Sequence, residues 1–155
     1  MDPAPFLGEL AATQRFFTTA TACFLPVDAG FAPRPGMFSV AGQFAHVART
    51  IDWFIEGAFV RSDGFDMDFA RHNAEACAVA ELAAARAWLE RAFADASAAF
   101  TAHAARLHEP LPPGILGGLP RLAVAGAIVD HTSHHRGSLA VYARLLGREP
   151  AMPYA

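Results

Sequence analysis

The chain has 155 residues, of which 54% are hydrophobic, and a formal net charge of −3. A chain of that length buries about two-thirds of the surface it exposes when unfolded, so no disulfide or structural metal is needed merely to fold. Its basic residues are all Arg and are scattered along the chain, which excludes the clustered cationic footprint that nucleic-acid binding requires.

No run of about 18 apolar residues is available to span a bilayer. The first residues, MDPAPFLGELAATQRF, lack the basic region and continuous apolar core of a signal peptide, so a cytoplasmic protein with no membrane partner is expected. Cys23 and Cys77 sit among apolar neighbours rather than in a CxxC pair and read as reduced core residues.

The first helical segment runs from about Pro5 to Phe24, with Phe6, Leu10, Thr13, Phe17 and Ala20 spaced as a core stripe. The stretch Pro26 to Met37, rich in Pro and Gly, returns the chain as a loop, and Ser39 is placed to cap the next helix. That second helix, about Val40 to Val60, carries two apolar stripes. Phe44, Val47, Ala48, Ile51 and Ile55 form one, and Gly42, Ala45, His46, Trp53 and Gly57 the other. One stripe must pack inside the domain; the other completes the core or meets a second subunit.

Arg61 to His72 is polar and aperiodic, with Asp63-Gly64 as a turn signal, and Asn73 is a candidate cap for a long third helix over Ala74 to Leu107. Its stripe includes Leu82, Ala85, Leu89, Ala92, Ala96, Ala99 and Leu107. The Pro/Gly-rich segment His108 to Leu119 then breaks the helix. Pro120 suits the first position of a fourth helix that ends near Leu146, ahead of Gly147. Four helices without a strand pattern predict an all-α, up-down four-helix bundle, with residues 1–155 as a single domain.

Spacing sorts the histidines. On the fourth helix the stripe of Leu122, Val124, Ala125, Ile128, Thr132, Leu139, Tyr142 and Leu146 also contains His131 and His135, four residues apart and therefore on one face. Each imidazole buried there without partners costs about 1–3 kcal/mol per unsatisfied group, and a shared cation satisfies both. The competing reading is a pair of core histidines bonded to protein groups. A helix pair supplies two ligands only, and His46, mid-helix among apolar neighbours, is the best candidate for the third. Three histidines and an open position are the layout of a catalytic or substrate-binding metal site. His103 is a reserve ligand that reads better as a packing residue. His72 and His108, in or beside breaks, are expected to be solvated. His134 points about 100° away from His135, capping the site sideways or pairing with Asp130.

Familiar metal chemistries lack their residues. Thr132 and His134 stand where HExxH and HxxEH need Glu, which leaves zincin-type proteolysis without its base, and the chain contains no ExxH of the di-iron bundles. Neither GxGxxG, a P-loop nor GxSxG occurs.

The block HTSHHRGSLAVYARLLGREP, with the upstream FSVAGQFAHVARTIDWF, resembles the DinB-like (YfiT-like) superfamily of bacterial metal-binding four-helix bundles. The residues that match its pattern are His46, His131, His135, Arg136, Gly137, Tyr142, Arg144 and Gly147; Ser138 departs from it, where Gln is frequent. The resemblance implies a homodimer whose three histidines bind a divalent ion such as zinc, nickel, iron or manganese. It also implies metal-dependent chemistry on small molecules: a transferase or isomerase that joins a low-molecular-weight thiol to an electrophile, or a hydrolase. Arg136 is then a candidate contact for a substrate carboxylate. The alternative is a non-catalytic stress-response bundle braced by a structural ion.

Overall fold

The computed structural model describes residues 2–154 and is all-helical, with five α-helices and no strand among the described residues. The first helix, α1 (Ala4–Thr21), starts where Asp2 accepts the Ala4 N–H and buries Leu10, Thr13, Phe17, Ala20 and Thr21. Phe6, on the same stripe, packs its ring 6.2 Å from that of Phe100. The return loop is pinned by Asp28, a buried carboxylate that accepts from the Leu25 N–H at 2.7 Å and from Arg148 at 2.8 Å.

Helix α2 (Val40–Ile55) begins as expected at Ser39, whose hydroxyl accepts the Gly42 N–H at 3.0 Å. It continues to Val60 as a single π turn, Glu56–Val60, closed by the Arg61 N–H on the Glu56 carbonyl. A glycine is required in this turn. The Phe65 ring lies so close over Gly57 that a Cβ there would sit 2.2 Å from Phe65 Cδ1. Both apolar stripes of α2 are covered within the chain. Trp53, on the second, packs against Phe65 and Phe69 and donates its indole N–H to the Asp66 carbonyl. The second stripe therefore needs no partner subunit to bury it.

The long third helix is two helices. Asp68, not Asn73, caps α3 (Phe69–Cys77) by accepting the Arg71 N–H, and Asn73 lies inside it. After a break at residues 78–81, α4 spans Leu82–Ala102. No Gly or Pro forces this break. α3 lays His72 and Ala76 into the core and packs on α2, whereas α4 follows α2 and also meets α1. The boundary falls in an alanine-rich junction of high helix propensity, so packing rather than local sequence sets it. Cys77, at the end of α3, is exposed rather than in the core, because the helix turns that side outward; Cys23 is half-buried.

Leu107 is fully buried, and its carbonyl accepts the Leu122 N–H as the chain doubles back through a Pro110–Pro120 bridge. Pro120 thus belongs to the return, and α5 starts three residues later, spanning Ala123–Leu145. It ends in a Schellman motif in which Gly147, at φ 71°, lets the Arg148 N–H reach the Ala143 carbonyl and its own N–H reach Arg144. Among the four long helices, α1 packs on α4 and α5, and α2 packs on the same two. That arrangement brings the middle of α2 against the middle of α5.

Candidate metal centre

His46 on α2 and His131 and His135 on α5 converge, each offering one ring nitrogen within 4.8 Å of the others. His46 Nε2 and His131 Nε2 are 3.3 Å apart. Nitrogens about 2.0–2.1 Å from a tetrahedral ion stand roughly 3.3 Å from one another, so this separation suits a shared cation. His135 is 8% exposed, His46 and His131 are half-buried, and the Phe38 ring stacks on His46 at 4.6 Å.

The surroundings keep the three rings neutral, with lone pairs available. Burial, then repulsion from His46 and His134, pushes His131 from 6.5 down to about 4. Burial, with His131, His46 and His134 adding to it, pushes His135 down to about 3. His46 is lowered by the same causes, burial first and then His134.

A buried relay orients His135. The Phe38 carbonyl can only accept, and Tyr142 donates its hydroxyl proton to it at 3.1 Å. The Tyr142 oxygen then accepts from Gln43 Nε2 at 3.2 Å, which turns Gln43 Oε1 toward His135 Nδ1. An amide oxygen accepts, so His135 carries its proton on Nδ1 and keeps the Nε2 lone pair free. This is how proteins orient a metal-binding imidazole from behind. Gln43 was not apparent from the histidine spacing. The signal available was a lone amide three residues before His46 in an otherwise apolar stretch.

The remaining candidates fall elsewhere. Arg136 lies on another side of α5, over the rings of Phe16 and Tyr154, and donates to the Tyr154 hydroxyl. His103 stacks flat on Phe59, with ring planes 5° apart, as a packing residue. His134 is exposed and edges the His135 ring at 5.0 Å, so it flanks the site from outside, and His108 is exposed. His72 is not solvated: it is 6% exposed, because the earlier start of α3 carries it inside, where its Nε2 faces the Asp66 carbonyl.

A cavity of about 300 Å³ adjoins the centre, and His46 and His131 form part of its wall. Trp53, Phe54 and Phe69 give it aromatic surface, and Arg49, Thr50 and Asn73 are among its polar lining residues.

An all-helical protein with three convergent imidazoles beside an apolar cavity defines a class: helical proteins built around a histidine centre able to hold a metal ion. A family model described as the DinB superfamily matches residues 9–139, a span that includes all three histidines. The chain belongs to that superfamily. No curated protein matches it.

Proposed function

We propose that this protein binds one divalent metal ion through His46, His131 and His135 and uses it on a small molecule. The observation that carries the reading is the convergence of three neutral imidazoles from two helices beside a cavity. Zinc, nickel and iron suit imidazole ligands, whereas manganese favours oxygen ligands and suits this all-nitrogen set least of the four. When bound, such an ion supplies a Lewis-acid position that lowers the pKa of a water or thiol. The chain's own residues do the rest. Gln43 holds the His135 proton at Nδ1, Phe38 screens His46 from one side, and Trp53, Phe54 and Phe69 give the adjoining space an apolar wall.

The reaction class that fits best is transfer of a low-molecular-weight thiol to an electrophile, or a related isomerisation, as DinB-superfamily membership suggests. The cavity weighs against the alternative of a purely structural ion, since a bracing site is normally closed by four protein ligands. Three further features belong to the same reading. They are an up-down bundle, supported by the packing of α1 and α2 on α4 and α5; one such domain over residues 1–155; and a homodimer, supported by the family alone.

The test begins with metal analysis of protein purified without an affinity tag, which should give one ion per chain. Metal-loaded protein is then incubated with low-molecular-weight thiols and electrophiles. Turnover by the wild type that His131→Ala abolishes supports the enzyme. A stoichiometric ion without turnover points to the structural role, and no ion sinks both.

A further inference from the structure

The cavity beside the histidine centre changes character along its length. His46, Thr50, Trp53 and Phe54 lie on one face of α2, and Trp53 stands about 10 Å further along the axis than His46. Helix α3 runs the other way across that face: its first residue, Phe69, packs on Trp53 at 5.5 Å, and Glu75 holds Arg49. Asn73 also lines the cleft beside Phe38, the ring stacked on His46, so it lies toward the histidine end. One end of the cavity thus carries imidazoles, the Thr50 hydroxyl and the Asn73 amide, and the other carries Trp53, Phe54 and Phe69.

The polar groups are unequal. His72 offers only the body of its ring, since Nε2 lies 3.2 Å from the Asp66 carbonyl oxygen and Nδ1 is enclosed by protein. Arg49 is buried, with Glu75 and Glu56 on its guanidinium at 2.9 and 3.3 Å, and Trp53 gives its N–H to the Asp66 carbonyl. His46 and His131 turn their Nε2 atoms toward each other at the proposed ion site. The Thr50 and Asn73 side chains line the cavity and have no hydrogen-bond partner among the described residues. Each both donates and accepts without charge, which matches a neutral polar head; a carboxylate would lose its hydration with no free cation among these side chains to offset it.

Ile115 completes the apolar wall. It comes from the return between α4 and α5, where Leu116 takes the left-handed conformation at φ 56°, between Gly114 at 115° and Gly118 at 80°. A residue other than glycine holds that conformation only where its surroundings impose it. Here Ile115 and Leu116 are both packed against the core, so the strained turn fixes Ile115 in the wall.

We propose that the cavity binds a small molecule with an uncharged hydrogen-bonding head and an apolar tail, and that Ile115 sets the length of tail accepted. The head lies on Thr50 and Asn73 at the histidine end, and the tail runs along Trp53, Phe54 and Phe69. A head placed there adjoins His46 and His131, so the inference names the substrate class of the site proposed above and rests on that reading for its function. The binding itself needs no ion.

The probes are straight-chain primary amides from propanamide to octanamide, titrated into the metal-free full chain and followed by two-dimensional NMR, which reads weak binding. Affinity should rise about two- to fourfold per methylene and stop rising once the tail fills the cavity of about 300 Å³. Ile115→Ala should move that limit to a longer tail. Thr50→Val, of similar shape, should weaken every amide about threefold or more and leave the limit where it is. The carboxylate of matching length should bind more weakly than the amide. Both substituted residues are half-buried, and if either variant does not fold, the wild-type length limit and the order of amide over carboxylate still decide. Affinity independent of tail length, no limit up to octanamide, a limit unmoved in Ile115→Ala, full amide affinity in Thr50→Val, a tighter carboxylate, or no binding overturns the proposal. Failure of metal analysis with an intact length limit would instead remove the metal reading and leave the pocket.

Discussion

Gln43 and His135 meet across the contact between α2 and α5, the amide oxygen of one accepting the Nδ1 proton of the other. Neither residue is near the other in sequence, yet this bond decides which nitrogen of His135 is free. The Tyr142 hydroxyl and the Phe38 carbonyl behind Gln43 set the direction of the whole relay.

Removing that support should weaken metal binding without emptying the site. Gln43→Leu, close in size, is expected to lower affinity about 10–100-fold, as loss of an outer partner does elsewhere. Competition with a chromogenic chelator measures it, and Tyr142→Phe should give a smaller loss. Unchanged affinity in Gln43→Leu would show that the relay does not act on the ion.

The metal-free protein should lose stability in mild acid. Unfolded histidines titrate near 6.5, whereas His131 and His135 hold out to about 4 and about 3 when folded. Between those values the unfolded chain binds protons that the folded chain refuses, so stability is full above 6.5 and falls as the pH drops through the window. Thermal melts across that range check this. A double variant, His131→Gln with His135→Gln, should show a shallower dependence, and an equal slope would place the cause elsewhere.

Adding zinc or nickel to the metal-free chain should raise the melting temperature, because an ion that binds only the folded state stabilises it by about 2.7 kcal/mol at a hundred times its Kd. His46→Ala should remove most of that gain while leaving far-UV circular dichroism intact, since His46 is half-buried and the bundle's apolar core does not depend on it. A gain of equal size in His46→Ala would mean that the ion binds elsewhere.

Two glycines should respond in opposite directions. Gly57→Ala drives a Cβ into the Phe65 ring and should cost about 1–3 kcal/mol. Gly126, exposed within α5 with nothing within 4 Å of an added Cβ, should gain about 0.5–1 kcal/mol on substitution by Ala. Urea denaturation of both variants reads the difference directly, and like signs would contradict the packing described at the π turn.

Much of this was legible before any coordinates. The stripe of α1, the Ser39 cap, the burial of His135 on the inner face of α5 and the outward turn of His134 all follow from helical phase. The break after Cys77 is not legible, because the alanine-rich run around it carries no local stop signal, and the start of α3 at Asp68 is hidden in a polar stretch that offers several possible caps. The burial of His72 depends on that start, which places it inside a helix rather than in a loop.

By itself the sequence determined whatever depends on neighbours a few residues away: the stripe of α1, the start of α2, the Gly147 stop and the pairing of His131 with His135, since four residues make about one turn of any α-helix. Only the tertiary structure decided the rest. That Gln43 backs His135, that His46 Nε2 comes within 3.3 Å of His131 Nε2 and that His72 is buried are facts about how separate helices pack. Packing is set by the shapes of side chains far apart in the chain, which no local pattern records.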